Sequence, residues 1–206
     1  MSSSVGAIVL AAGLSSRMGR SKALLPWSDN HTVIAHILTQ LQQTDVAQVL
    51  VVTGAYADQV AAQAAVLGID SVHNPEYATG EMLSSLKVGL RALPDTLTAA
   101  LVVLGDQPRL EVSVVQQLLE ALTQHNAGIV APRYQGQRGH PMLISRHYWD
   151  DLLALPPGGA PRDVIQRHQT AVVWVDVDSD SVLSDMDTPE AYAAERLKAG
   201  LGYLRE

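Results

Sequence analysis

Short apolar runs alternate with segments of helical periodicity through most of this 206-residue sequence. The runs Val5 to Leu10, Val46 to Thr53 and Ala99 to Leu104 each have the length of a buried strand. A helical pattern such as His31 to Thr44, with apolar residues on one face, lies between them. This alternation is typical of a layered α/β domain with a mostly parallel sheet. We therefore expect an α/β fold in a single domain, residues 1–206.

Composition excludes several classes of function. The formal net charge of −7 argues against broad electrostatic binding to nucleic acid or to an anionic membrane. With no cysteine, the chain forms neither disulfides nor thiolate metal sites. The N-terminal residues lack the pattern of a signal peptide, and no apolar run approaches membrane-spanning length. We expect a cytoplasmic protein.

The segment that follows the first predicted strand, Leu10 to Lys22, combines small residues with the cations Arg17, Arg20 and Lys22. No further lysine or arginine occurs before Lys87. Small residues allow close backbone approach, and successive free N–H groups can cradle phosphate oxygens. The segment therefore favours a polyphosphate ligand over a merely solvated loop. It matches neither the P-loop nor the three-glycine dinucleotide fingerprint, which disfavours a nicotinamide dehydrogenase.

An aspartate follows the most strand-like run of the chain, in Gly105-Asp106-Gln107-Pro108. Ligands of open α/β sheets bind at the carboxyl ends of the strands, so we expect Asp106 to face the loop after the first strand. A carboxylate opposite a polyphosphate site suggests Mg²⁺, which binds through one or two carboxylates, phosphates and water. The alternative is that Asp106 only forms a turn.

A second aspartate, Asp187, precedes a predicted helix. Thr188 suits the N-cap and Pro189 the first helical position, so we expect a helix to about Lys198. On this pattern alone, Asp187 merely supports the helix start.

Two further polar segments are candidates for ligand contacts. Ser84 and Ser85 lie in the first turn of a predicted helix, where they face a ligand, cap the helix or are merely solvated. Arg133 to Gly139 is predicted to be a polar loop, and Arg138 to His140 lie at its end; His140 either positions a substrate or fills a structural role in a turn.

Taken together, these motifs resemble the signature of the MobA-like nucleotidyltransferases, and most closely the molybdenum cofactor cytidylyltransferase branch. The matching segments occur in the same order over nearly the whole chain: Leu10-Ala11-Ala12-Gly13, Arg17-Met18-Gly19, Lys22, Gly105-Asp106-Gln107-Pro108, Arg138-Gly139-His140-Pro141 and Asp185-Met186-Asp187-Thr188-Pro189-Glu190.

The resemblance implies a three-layer Rossmann-like nucleotidyltransferase fold, with nucleotide binding in the N-terminal half and acceptor binding in the C-terminal half. It implies Mg²⁺-dependent transfer of CMP from CTP to molybdopterin, with release of pyrophosphate. The implied catalytic residues are Arg17, Lys22 and Asp106; the nucleotide-binding residues are Leu10, Ala11, Ala12, Gly13, Arg17, Lys22, Ser84, Ser85 and Asp106; the metal ligands are Asp106 and Asp187, with Asp185 a lesser candidate; the acceptor-binding residues are Arg138, Gly139 and His140.

Other functions remain open at this point. Leu-Ala-Ala-Gly and Gly-Asp-Gln-Pro favour CTP over the GTP of related guanylyltransferases. A sugar- or polyol-phosphate nucleotidyltransferase would share the first loop and both aspartates. A carrier that passes the pterin cofactor to a receiving molybdoenzyme would not need two aspartates, whereas a metal-dependent enzyme would.

Overall fold

The computed structural model of this chain describes residues 4–15, 18–79, 81–125, 127–184 and 186–202. Within these ranges the strands are β1 (Val5–Ala11), β2 (Gln48–Thr53), β3 (Asp70–His73), β4 (Ala99–Leu104), β5 (Ile129–Tyr134), β6 (Gln137–Arg138), β7 (Met142–Ser145) and β8 (Val172–Asp176). The helices are α1 (Val33–Leu41), α2 (Ala57–Val66), α3 (Glu81–Ala92), α4 (Val112–Gln124), α5 (Trp149–Leu153), α6 (Pro161–Arg167) and α7 (Pro189–Lys198). The α/β class expected from the alternating pattern is confirmed.

The strands form one sheet in the order β3-β2-β1-β4-β7-β5-β6, with β8 also paired to β5. β7 runs antiparallel to β4 and β5, and β6 runs antiparallel to β5, whereas the other pairings are parallel. The chain leaves β1 toward β2 and β3, then returns to β4 on the other side of β1. The strand order therefore reverses between β1 and β4, where open α/β sheets bind their ligands.

Helices cover both faces of the sheet, because successive strand residues point to opposite sides. Val9 of β1 packs in one buried cluster with residues of α1, α2, α4 and α7, such as Ile37 and Tyr192. The neighbouring residue Ile8 packs in a second cluster with residues of α3, α5 and α6, such as Leu86. The result is three layers, as expected. None of the helices in the described ranges is both long and apolar enough to cross a membrane.

Two sequence predictions differ from the structure in the second half of the chain. The polar stretch 133–139, expected to be a loop, continues β5 to Tyr134 and returns as β6. Its polar character is compatible with a strand here because Arg133 pairs with Asp176 on β8, with N–O distances of 2.7 and 2.8 Å. The sequence also predicts one helix from Arg146 to Leu155, whereas the structure has a 3₁₀ turn, Arg146–Tyr148, followed by the short helix α5.

Candidate active site

A cleft of about 490 Å³ opens at the carboxyl ends of β1 and β4. These strands are parallel neighbours, and Leu10 pairs with Leu104 at their ends. The cleft therefore lies at the sheet edge that was predicted from the loop after the first strand and from the Asp106 motif. Its walls come from the loop after β1, the start of α3 and the turn after β4, and its lining includes Leu10, Ala11, Ala12, Gly13, Lys22, Ser85, Asp106 and Asp187.

Two glycines serve different purposes at this edge. The Gly105 N–H donates to the Leu10 carbonyl over 2.9 Å, and a Cβ at Gly105 would lie 2.7 Å from that oxygen. A side chain here would therefore push β1 and β4 apart. A Cβ at Gly13 would meet nothing within 4 Å, although Gly13 lines the cleft. Gly13 thus leaves space for a ligand, whereas Gly105 permits strand contact.

Lys22 is held at the mouth of the cleft by the turn that precedes it. Its backbone N–H donates to Ser15 Oγ over 3.1 Å, and Ser15 itself has a positive φ of 50°. A 3₁₀ turn from Lys22 to Leu24 then leads to Trp27, which is fully buried. The base of the lysine is consequently fixed to the core, and its side chain extends toward the carboxylates.

The Lys22 ammonium contacts both predicted metal ligands. Its Nζ donates to Asp106 Oδ2 over 2.9 Å and also to Asp187 Oδ1. Asp106 and Asp187, which are far apart in the sequence, therefore converge on a single cationic group. Partial burial lowers the pKa of Lys22, but the hydrogen bonds and charges of Asp187 and Asp106 outweigh it and leave the pKa above its usual value. The ammonium stays charged near neutral pH.

The segment around Asp187 follows the local signals in the sequence. Thr188 Oγ1 accepts a hydrogen bond from the Ala191 N–H over 3.2 Å, and Pro189 is the first residue of α7. The predicted cap is therefore confirmed, and it places Asp187 directly before the helix. Two other candidates from the same motifs, Arg17 and Asp185, lie outside the described residues.

Ser84 and Ser85 of α3 differ in whether they reach the cleft. Asn74 Nδ2 donates to Ser84 Oγ over 2.8 Å and to Ser85 Oγ over 3.0 Å. Ser84 Oγ also donates to the Glu81 carbonyl, so its hydrogen bonds lie within the protein. Ser85 lines the cleft, but Ser84 is not among the described residues that do so. The structure thus brings only one of the two predicted serines to the ligand space.

The Arg138 to His140 segment lies beside the site rather than in the cleft lining described above. The Arg138 guanidinium lies over the Trp174 ring, 5.1 Å from its centroid, and Gly139 packs against Val182. His140 Nδ1 is buried without a hydrogen-bond partner among the described residues. Burial lowers the pKa of His140, and the charge of Asp106 opposes this only in part. Of these three residues, His140 is the one linked electrostatically to the site.

Several cleft residues were not found by sequence reasoning. Tyr77, Glu81 and Met82 line the cleft from α3 and the loop before it, and Leu14 lines it from the loop after β1. Met82 and Leu14 are 44% and 48% exposed, so the cleft has apolar surface open to a ligand. Proline and glycine mark the loop before α3 in the sequence, but nothing local indicates which of its side chains enter the cleft.

This chain is similar to known proteins over most of its length. A family model described as the MobA-like NTP transferase domain matches residues 7–172. The molybdenum cofactor cytidylyltransferase of Escherichia coli K12 is 29% identical over 196 residues, which cover 92% of this chain and 94% of the relative. The nicotine blue oxidoreductase of Paenarthrobacter nicotinovorans is 32% identical over 197 residues, which cover 90% of this chain and 93% of the relative.

Among solved structures, the Mycobacterium tuberculosis H37Rv protein Rv0371c in complex with manganese has a TM-score of 0.78 and 27% identity. That similarity covers 95% of this chain and 98% of the other. The family model, in contrast, ends before Asp187 and α7, so one of the two site carboxylates lies outside the matched range.

Proposed function

This chain belongs to the MobA-like NTP transferase family and is a nucleotidyltransferase, and we propose that it transfers CMP from CTP to a phosphorylated pterin, the molybdenum cofactor. The observation that carries this proposal is the convergence of Asp106 and Asp187 on the Lys22 ammonium beside the cleft. The name of the Escherichia coli relative supports the choice of CTP and of the pterin acceptor.

The two aspartates fit a divalent cation. Their carboxylate oxygens are the hard ligands that Mg²⁺ prefers, and a cationic group already contacts both of them. The described residues contain no group of three or more acidic, histidine or cysteine side chains placed for a metal. Asp106 and Asp187 would therefore hold the ion together with substrate phosphates and water. When bound, Mg²⁺ would supply neutralisation and alignment of phosphate oxygens.

The proposed reaction needs no covalent intermediate on the protein. An oxygen of the acceptor phosphate forms a bond to the α-phosphorus of CTP. The bond from that phosphorus to the bridging oxygen breaks, and pyrophosphate leaves with the electron pair. The acceptor phosphate is already ionised near neutral pH, so the protein acts by positioning and by charge stabilisation.

The chain's own residues divide this work between the nucleotide and the acceptor. Backbone N–H groups of Ala12, Gly13 and their neighbours, together with Ser85, would bind CTP in the cleft. Lys22 and Arg17 would neutralise the phosphates. Arg138 to His140 would bind the acceptor from the C-terminal half of one domain. We further propose that the enzyme works in the cytoplasm and passes its product to a molybdoenzyme.

The nicotine blue oxidoreductase relative is a specific reason to consider redox chemistry as a second function. The paired carboxylates beside a lysine favour phosphoryl chemistry instead, because they suit a cation and phosphates rather than an electron acceptor. The proposed reaction competes with three other possibilities: guanylyl transfer from GTP, transfer to a sugar or polyol phosphate, and pterin carriage without catalysis. The nucleotide, the acceptor and the release of pyrophosphate separate these possibilities.

The first experiment compares thermal stabilisation by CTP, GTP, ATP and UTP, with and without Mg²⁺. We expect a shift that is selective for CTP, requires Mg²⁺ and is lost in Asp106→Asn. Asp178→Asn is the matched control, because Asp178 is exposed and does not line the cleft. Pyrophosphate release from CTP in the presence of the pterin acceptor is then measured. A selective shift with GTP, or stabilisation by the pterin without any nucleotide effect, would contradict the proposal.

A further inference from the structure

The two site carboxylates belong to segments that are distant along the chain, so only non-covalent contacts can hold these segments next to each other. Asp106 follows β4, and Asp187 precedes α7. Two carboxylates repel each other, so a site for one ion requires contacts that hold their segments at a set spacing. Lys22 cannot supply this spacing once its ammonium moves to a phosphate. Other groups must therefore connect the turn after β4 to the segment before α7.

Gln107, the neighbour of Asp106, makes the direct connection. Its Nε2 donates to the Ser184 carbonyl over 2.6 Å. Ser184 lies three residues before Asp187 and is 2% exposed. This bond thus joins the two segments close to each carboxylate, in a region where water does not compete for the Ser184 carbonyl.

A buried glutamate of α7 closes the connection into a ring. Glu195 Oε2 accepts from Ser184 Oγ over 2.6 Å and from Arg109 Nε over 2.7 Å. Arg109 is two residues after Gln107, so the hydrogen bonds run from Gln107 to Ser184, to Glu195 and back to the same turn. Glu195 is only 4% exposed, and its burial is compensated by Arg109, Ser184 and Lys198. A buried carboxylate with this many partners is rigid.

The ring joins the part of the chain that the family model matches, which holds Gln107 and Arg109, to a part beyond it. Ser184 and Glu195 both lie beyond residue 172, as does Asp187. Gln107 lines a small cavity beside His140 rather than the cleft, as far as the described residues show. Its hydrogen bond to Ser184 is therefore the contact by which Gln107 acts on the site.

We propose that Gln107 and Glu195 are positioning residues, which hold Asp106 and Asp187 at the spacing of one divalent cation through Ser184. This inference rests on the metal site of the proposed function. Residues that orient metal ligands typically change affinity by about 10- to 100-fold when they are removed. Loss of Gln107 removes neither metal ligand, and Arg109 and Ser184 still meet at Glu195, so we expect a change near the lower end of that range.

The test is Mn²⁺ binding without nucleotide, measured by the electron paramagnetic resonance signal of free Mn²⁺. We expect Gln107→Met to weaken binding about 10-fold. Ser184→Ala should weaken it less, because the Ser184 carbonyl remains. Gln42→Met is the matched control, since Gln42 Nε2 donates to the Leu67 carbonyl over 2.9 Å, outside the cleft. Its Mn²⁺ affinity should equal that of the wild type.

The melting temperatures of the same variants separate positioning from general loss of stability. Gln107→Met should melt below Gln42→Met, because it leaves the buried Ser184 carbonyl without its partner. Mn²⁺ binding that is weaker only in Gln107→Met, measured at a temperature where both variants are fully folded, supports the inference. Unchanged Mn²⁺ affinity in Gln107→Met overturns it, provided that Asp106→Asn abolishes binding. If Asp106→Asn also binds Mn²⁺ like the wild type, the proposed metal site itself is wrong.

Discussion

The contact of Lys22 with two carboxylates makes a prediction about metal binding in the free protein. A cation that enters between Asp106 and Asp187 must displace the lysine ammonium from both of them. Lys22→Met keeps most of the length and the apolar stem of the side chain but removes the charge. We expect this variant to be less stable without metal and to bind Mn²⁺ more tightly than the wild type when no nucleotide is present.

The size of the effect follows from the exposure of the three side chains. Lys22 is 14% exposed, Asp106 37% and Asp187 32%, so the pairs lie between surface and buried salt bridges. Surface pairs contribute about 0.2–1 kcal/mol, and loss of one partner of a buried pair costs about 3–5 kcal/mol. We take about 1 kcal/mol for each contact, near the surface limit because solvent screens both aspartates.

Two such contacts amount to about 2 kcal/mol, which corresponds to about 30-fold in affinity. For a domain of this size, the same free energy lowers the melting temperature by about 4–8 °C. Mn²⁺ binding is measured by electron paramagnetic resonance and stability by thermal unfolding. Lys87→Met is the control, because the described hydrogen bond of Lys87 goes to the Leu155 carbonyl and not to a carboxylate. If Lys22→Met binds Mn²⁺ no more tightly than the wild type, Lys22 does not occupy the place of the cation, and the reasoning fails.

Three further predictions concern the cleft and its surroundings. Gly13→Ala should melt like the wild type but lose CTP binding, because the added methyl group meets only the cleft. Gly105→Ala should also lose stability, because its methyl group would contact the Leu10 carbonyl. CTP binding by Gly13→Ala at wild-type affinity would contradict the first expectation. Burial raises the pKa of Glu195, but its bonds to Lys198, Ser184 and Arg109 outweigh this and lower the pKa below its ordinary 4.5. The stabilisation by Glu195 is thus complete above pH 4.5 and is lost as the pH falls through the folded pKa. In unfolding experiments, the stability of Glu195→Gln should therefore approach that of the wild type in acid. A stability difference that does not depend on pH would refute this. Burial depresses the pKa of His140, so an NMR titration should place its midpoint below 6.5, and a midpoint above that value would show that Asp106 dominates.

Local signals in the sequence predicted much of the secondary structure. β4 spans Ala99–Leu104 as predicted, because an uninterrupted apolar run ends at Gly105. α7 spans Pro189–Lys198 as predicted, because Thr188 caps it and Pro189 suits its first position. These signals depend on residues within a few positions of one another. The stretch 133–139 was misread because its ends pair with each other as β5 and β6, and because Arg133 also pairs with Asp176 of the distant strand β8.

The site could be predicted only in part, for a related reason. Order along the chain indicated that Asp106 and the Leu10 to Gly13 segment share the edge of the sheet where parallel strands end. Nothing in the pattern around Ser84 and Ser85 distinguishes the serine that lines the cleft from the one turned into the protein. That choice depends on the rotation of α3, because Asn74 bonds both hydroxyl groups and Ser85 is the one that also lines the cleft.

The sequence by itself determined the layered α/β class, the glycine-bearing loop after β1 and the two aspartates, because periodicity, turns and caps are properties of neighbouring residues. Only the tertiary structure decided that Asp106 and Asp187 meet at one ammonium group. It also decided that Gln107 and Glu195 connect their segments through Ser184. Such contacts join residues that are distant along the chain, and their geometry depends on how the sheet and its helices pack together.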